Sequence, residues 1–387
     1  MTEPVSCSQL LQAMVGFNTV NGHISGVSQP ERPLAEYLEQ VARGWGLATR
    51  RLDVGGAGFN LLVEHRVSAQ APWLLCESHL DTVSIEGMTI DPLGGGIEGG
   101  RLYGRGACDT KGTGAAMLWA LRQYSEAGGA NNIGVLFTLD EEIRKTGVRT
   151  FVEAQVAQLG WKPAGAIVGE PTRLRPVVAH NGVVRWAIQV EGRAAHSSDP
   201  SQGRSAISGM AAVIRALEES YIAGLTTHHA LTGKAQGSIN LIEGGSQINI
   251  IPELCSIQVD RRVVPGEEPE EVQPAVEAVL EQLRQQQPDL VVQQKEPSML
   301  DYPLDPRGGE GLAAAVETVL VGLGLPGTGE GVGYGTDAST LARAGIPSLV
   351  IGPGDIAQAH TADEWIDLSE LERGVEVYRA LMGMGLG

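Results

Sequence analysis

The chain has 387 residues, more than one compact core accommodates, so two domains are expected. Its formal net charge of −18 argues against nucleic-acid binding and against attachment to anionic membranes, and leaves cationic substrates or metal ions as compatible partners. Although 42% apolar, it has no apolar run near the length that spans a bilayer, and "MTEPVSCSQLLQAMVGF" lacks the basic residue that opens a secretory signal.

From about residue 35 to 180, strand-like and helix-like runs alternate. "PWLLCESH", "NIGVLFTL" and "AGAIVGE" are continuously apolar, as strands covered on both faces are. "TGAAMLWALRQYSEAGG" has helical composition and stops at glycines. An α/β layered domain follows from this alternation. The middle of the chain changes pattern. "VVRWAIQVEG" alternates like a strand, and Ile207, Met210, Ile214, Leu217 and Tyr221 then recur at helical spacing. "SINLIEGG" and "CSIQVDRRVV" read as two strands, Val272, Val276, Val279, Leu280 and Leu283 as a second helix, and "LVVQQKE" as a last strand. The order βαββαβ is that of a ferredoxin-like domain. From about residue 300 the α/β pattern returns in "GGEGLAAAVETVLVGLG", "PSLVIGPG" and a helix beginning near Ser369. The expected architecture is one α/β domain of residues 1–180 and 298–387, interrupted by an inserted α+β domain of residues 181–297. Cys7, Cys76, Cys108 and Cys255 show neither CxxC nor zinc-finger spacing, which points to reduced thiols in the cytoplasm.

The chemistry-bearing residues fall at predicted strand ends. "CESHLDTV" supplies His79 and Asp81, "GRGACDTKGTG" supplies Asp109 before a helix, and "TLDEE" supplies Glu141 and Glu142. "IVGEPT" places Glu170 before a proline, and "GPGDIAQAHTADEW" places His360 after a strand. Alone, each has an ordinary reading as a turn, a cap or a strand stop. Together, five separated segments deliver His, Asp or Glu to the carboxyl edge of one sheet, where open α/β sheets bind ligands. Two histidines with several carboxylates and no cysteine suit zinc, manganese or cobalt, and two ions better than one. Such ions would also neutralise the run Asp140, Glu141 and Glu142, three like charges at a buried strand end. Spacing alone leaves open which of Glu141 and Glu142 binds metal and which acts as a base.

In order, and over nearly the whole chain, "SHLDTV", "GRGACDTKG", "TLDEE", "GEPT", "GRAAHSSDPSQGRSAI" and "GPGDIAQAHTADEW" resemble the M20 metallopeptidase family. That family includes acetylornithine deacetylase, succinyl-diaminopimelate desuccinylase, aminoacylase and carboxypeptidase G2. The resemblance implies a zinc-binding α/β domain with an inserted ferredoxin-like domain that dimerises. It implies that Asp109 bridges two divalent metals, zinc first with cobalt or manganese as alternatives. His79 and Glu170 complete one site, Glu142 and His360 the other. By the same resemblance Asp81 fixes the tautomer of His79, Glu141 is the general base, and the Asp109–Thr110 peptide is cis. The mechanism so implied has Glu141 take the proton of an attacking water and pass it to the leaving amine of an amide, and two bound metals would supply the activation of that water. His196 of "AAHSSDP" is implied as an oxyanion donor supplied by the partner subunit. Asn249 and Arg262 are implied to hold the substrate carboxylate, with Arg261 a close competitor.

For substrate, "GPGDIAQAH" with the last ligand most resembles acetylornithine deacetylases, and "GYGTDAST" replaces the loop typical of desuccinylases. Glu170 stands where acetylornithine deacetylases often carry aspartate and pulls the other way. The expectation is an N-acyl-L-amino-acid deacetylase, acetylornithine first, with a homodimer acting on a small molecule in the cytoplasm. A desuccinylase, or a carboxypeptidase or dipeptidase, is the alternative within the family. A non-catalytic amino-acid-binding relic is disfavoured by Glu141, since a binder needs no general base.

Overall fold

A computed structural model describes residues 3–386; Met1 and Thr2, the start of the stretch read above for a secretory signal, lie outside the described residues, as does Gly387. Two compact units are distinguished: one holds the residues up to Val178, Pro306–Glu330 and those from Thr336 on, the other Ala179–Asp305 with Gly331–Gly335.

The sheet of the first unit places Ala48–Asp53, Phe59–His65, Asn132–Thr138, Trp73–His79, Pro163–Val168 and Ser348–Val350 side by side in that order. Trp73–His79 lies parallel between Asn132–Thr138 and Pro163–Val168, and every residue in it is buried. Double-sided burial explains why its first four residues, Trp73 to Cys76, are continuously apolar instead of alternating. Ser348–Val350 extends the parallel set, while the hairpin Ala48–Asp53 and Phe59–His65 adds antiparallel strands at the other edge. His79 is opposite Thr138, and Glu77 is opposite Val168, so three strands end along one line.

Helix Lys111–Ala127 packs on this sheet and against helices Cys7–Val15 and Leu368–Met382. Gly112 is needed at its start, because a Cβ there would lie 2.4 Å from the Ala107 carbonyl oxygen. The loop before the helix can therefore fold back against its first turn. Phe137, fully buried beside Gly114 of this helix, anchors the layer, and truncating it to alanine would cost about 3–5 kcal/mol. Among the described residues no helix is long and apolar enough to cross a membrane. All four cysteines are buried and unpaired in disulfides.

The second unit is an antiparallel sheet in the order Gln236–Gly244, Leu254–Val263, Gly182–Glu191 and Val291–Gln294. Helices Ala206–Ala216 and Val272–Gln286 share a core with it around Trp186, Ile188, Met210, Ile257 and Leu280. The unit runs to Asp305, not to 297, because Met299–Asp301 forms one more strand on Gly182–Glu191. It begins after Val178 rather than after residue 180. Gln236–Gly244 is an edge strand, broken in register between Ile239 and Leu241, with Leu241 and Ile242 more than half exposed.

Candidate metal centre

Four loops at the carboxyl edge of the parallel strands carry the acidic and imidazole groups to one place. His79 ends its strand, and Asp81 follows within the turn. Leaving Asn132–Thr138, the chain reverses at Asp140, whose φ of 61° lies in the left-handed region, and this turns Glu141 and Glu142 inward. Glu170 follows Pro163–Val168 directly, with the Gly169 N–H donating to the Glu77 carbonyl at 2.8 Å. His360 lies on the long loop after Ser348–Val350, again with a φ of 61°. Asp109 precedes helix Lys111–Ala127, and its peptide bond to Thr110 is cis.

Two groups of potential ligands result: His79, Asp109 and Glu170, and Asp109, Glu142 and His360. Within each, the ligand atoms lie within 4.8 Å of one another. Asp109 belongs to both and divides its oxygens between them. Its Oδ1 is 3.2 Å from His79 Nε2 and its Oδ2 3.3 Å from His360 Nε2. Glu170 Oε1 is 3.9 Å from His79 Nε2, and Glu142 Oε1 is 3.1 Å from His360 Nε2. One imidazole with two carboxylates, and no thiolate, is a donor set for a borderline or hard divalent cation, and three protein donors per ion leave positions for water and substrate. The residues present fit two such ions.

The protonation pattern reflects the excess of buried negative charge. Burial pushes Glu142 up to about 7, and burial with the neighbouring Asp109 pushes Glu170 well above the carboxylate range. Hydrogen bonds to Asp109 and Glu142 raise His360 to about 10. Burial works against charge on His79 and Asp109, yet each holds the other ionised: His79 is raised by Asp109 and Asp81, and Asp109 is lowered by His360 and His79. A divalent cation would take the place of these protons.

The structure places Asp81 behind this centre, fully buried. The Asp81 backbone carbonyl oxygen is 3.0 Å from His79 Nδ1, nearer than the Asp81 carboxylate at 3.5 Å. The carboxylate accepts instead from the backbone N–H of Glu141 at 2.9 Å and of Glu142 at 3.1 Å. Asp81 thus fixes the ring of His79 and the Glu141–Glu142 turn together. Glu141 faces Lys145, whose Nζ is 3.4 Å from its Oε1, and burial raises its carboxyl although Lys145 draws it back down. Asp140 does not join the cluster. Its carboxylate accepts hydrogen bonds from Asn21 Nδ2, at 2.8 Å, and from the Thr146 hydroxyl. Of the three consecutive carboxylates, one is therefore satisfied by hydrogen bonds, not by a cation.

Asn21 is a residue that sequence reasoning did not find: its amide also donates to Asp81 at 2.8 Å. Glu364 is another, with a buried carboxylate that grips the Asp109 loop. Nothing local to "FNTVNGH" signals the role of Asn21; for Glu364 the only sign was its place in the quoted "HTADEW" segment.

His196, Asn249 and Arg262 belong to the second unit. His196 is exposed on a two-residue strand paired with Ile250–Ile251, its Nδ1 2.8 Å from the Ser198 hydroxyl. Asn249 is exposed, and its carbonyl accepts from the Ser197 N–H at 3.0 Å. Arg261 is buried and occupied by Glu267, at 2.7 Å, and by the Tyr221 hydroxyl, at 3.2 Å. Arg262 is partly exposed and pairs with Asp260 at 2.8 Å. Of the two arginines, Arg262 is the one with a guanidinium that solvent reaches.

A parallel-sheet edge that presents two ligand groups sharing one carboxylate defines a co-catalytic metal hydrolase site. The sequence profile of peptidase family M20/M25/M40 matches residues 75–383, and the chain belongs to that family, whose members hydrolyse amide bonds with a dinuclear metal centre. It is 32% identical to an acetylornithine deacetylase of Pectobacterium carotovorum over 374 residues, 93% of this chain and 92% of the relative. Its fold is similar to that of an M20 family metallo-carboxypeptidase from Sulfolobus solfataricus, with TM-score 0.77 at 18% identity over 97% of this chain and 98% of the other. A dinuclear metal-binding M20 peptidase of Bacillus subtilis also superposes, with TM-score 0.69 at 16% identity over 97% of each chain.

Proposed function

We propose that the protein removes the N-acyl group from an N-acyl-L-amino acid, N-acetyl-L-ornithine first, with zinc, or cobalt or manganese, at both sites. The observation that carries the hydrolytic reading is the shared carboxylate of Asp109 between two ligand groups, with Glu141 held beside them by Asp81. The substrate assignment rests on the deacetylase relative and is compatible with the acidic charge of the chain.

When bound, the cations supply electrophilic activation of water and of the scissile carbonyl. His79, Glu170, Asp109, Glu142 and His360 would hold them. Glu141 accepts a proton from the attacking water and delivers it to the leaving amine; its burial keeps the carboxylate basic enough for both steps. His196 donates to the developing oxyanion. Arg262, with Asn249, receives the substrate carboxylate, since Arg261 is engaged by Glu267 and Tyr221. The edge strand Gln236–Gly244, with Leu241 and Ile242 exposed, pairs with its copy in a homodimer. The enzyme works in the cytoplasm, in the synthesis of arginine, and its four unbridged cysteines are compatible with a reducing compartment.

A panel of N-acetylornithine, N-succinyl-diaminopimelate and a few dipeptides tests this reading. It expects the highest kcat/KM for N-acetylornithine. Preference for the succinylated substrate or for dipeptides would reassign the substrate and leave the hydrolytic chemistry standing.

A further inference from the structure

We infer that Glu364 is the positioning residue of the second metal site, acting on Asp109 and His360 together. The inference rests on the dinuclear reading above. The Glu364 side chain is fully buried, and its carboxylate accepts from four donors. Oε1 accepts from the backbone N–H groups of Cys108, at 2.9 Å, and Asp109, at 3.0 Å. Oε2 accepts from Arg105 Nη1, at 2.7 Å, and the Gly106 N–H, at 3.1 Å. The loop that ends in the shared ligand is thus wound around one carboxylate.

Two further features tie Glu364 to His360. The strand Trp365–Asp367 pairs antiparallel with Arg101–Tyr103, and the ladder continues through the Gly104 N–H donating to the Glu364 carbonyl at 3.0 Å. Arg105, held by Glu364, donates through Nη2 to the Thr361 carbonyl at 3.2 Å and through Nε to the Ser84 carbonyl at 3.0 Å. Thr361 adjoins His360, whose side chain is half exposed whereas those of His79, Asp109, Glu142 and Glu170 are nearly covered. His79 and Glu170 follow directly from adjacent parallel strands and have the sheet to place them. His360 sits far along a loop, and Glu364 with Arg105 supplies the placement that the sheet does not. Removing the carboxylate should therefore loosen the Asp109–His360 pair more than the His79–Glu170 pair.

The test is equilibrium zinc binding to the stripped protein, by competition with a chromophoric chelator, for wild type, Glu364→Gln, Glu364→Asp and His360→Ala. Wild type should bind two ions per chain; fewer would overturn the dinuclear reading itself and this inference with it. Glu364→Gln keeps the size but turns an NH2 toward existing donors, and should weaken one site about 10–100-fold, with the other changed less than about threefold. The weakened site should be the one that His360→Ala abolishes, so adding Glu364→Gln to His360→Ala should cost the remaining site little. Glu364→Asp, which keeps the charge, should recover part of the loss. Should Glu364→Gln fail to fold by circular dichroism, Arg105→Lys carries the same expectation, since an ammonium cannot reach Glu364, Thr361 and Ser84 at once. Two wild-type sites in the folded variant, or equal weakening of both, would overturn the inference.

Discussion

The Asp81 carboxylate accepts from the backbone N–H of Glu141 at 2.9 Å, so the residue beside His79 also sets the direction of Glu141, the proposed general base. Because the Asp81 backbone carbonyl faces the His79 ring at 3.0 Å while its carboxylate holds the Glu141–Glu142 turn, one buried residue joins both ligand groups to Glu141. Asp81→Asn exchanges one acceptor for a donor that faces the Glu141 or Glu142 N–H. It should lower kcat about 10–100-fold and weaken metal binding by a similar factor. Paired measurements of kcat and zinc affinity check it, and a loss of rate at full affinity would confine the role of Asp81 to the base.

Glu141→Gln preserves shape and removes the carboxylate proposed to carry the proton. The rate should fall about 10²–10⁴-fold with two metals still bound. Metal content has to be measured beside turnover. A site emptied by Glu141→Gln, with Glu142→Gln still loaded, would exchange the roles of the two residues.

Stripping the metals with a chelator should remove activity by at least about two orders of magnitude, and added zinc, cobalt or manganese should restore it. The decisive sample is the stripped enzyme assayed in chelated buffer. Turnover there at the original rate would end the metal-hydrolase reading.

Glu31 offers a pH test away from the ligands. Burial, and then Asp81 and Asp140 beside it, push its carboxyl from an ordinary 4.5 up to about 8. A group whose folded pKa lies above its unfolded one contributes its full stability below about 4.5 and loses it as pH rises through about 8. The gap between the two values bounds the loss at about 5 kcal/mol. Glu31→Gln should therefore stabilise the protein increasingly with pH and level off above about 8. Thermal midpoints across that range, in saturating zinc, would show a constant difference if Glu31 were ionised throughout.

Subunit exchange tests the assignment of His196. His196→Ala and Glu141→Gln, each inactive alone, should recover part of the activity when mixed, because some heterodimers then hold one complete site. No recovery despite demonstrated exchange would mean that each subunit uses its own histidine or none.

Much of the centre could be anticipated because its segments announce themselves locally. A run such as "NIGVLFTL" reads as a strand buried on both faces, and the acids that follow it then fall at the sheet edge. That five separated segments meet at one sheet edge followed from topology, not from proximity in the chain, while the choice of Glu142 over Glu141 as ligand came only with the family resemblance. What stayed hidden was pairwise and long-range. Asn21 meets partners 60 and 119 residues away, and Glu364 meets Asp109 across 255. No periodicity encodes such contacts. The different fate of Asp140 depended on one left-handed φ, which an alternating reading of "DEE" does not contain. Met299–Asp301 was missed as a strand because three residues after a Pro-containing turn are too short to show a period.

The order of the ligands along the chain has a consequence for synthesis. His79, Asp109 and Glu170 are all encoded before the second unit begins after Val178, His79 and Glu170 at the ends of two strands that pair in parallel and Asp109 in the loop before helix Lys111–Ala127. His360 is translated only after that entire unit and the return of the sheet at Ser348–Val350. The first ligand group is therefore complete in a nascent chain of 170 residues plus the ribosomal tunnel's length, while the second waits for almost the last of the polypeptide. A protein truncated after the inserted unit would carry all three residues of the first ligand group, and would lack both His360 and the Glu364 carboxylate that grips the Asp109 loop.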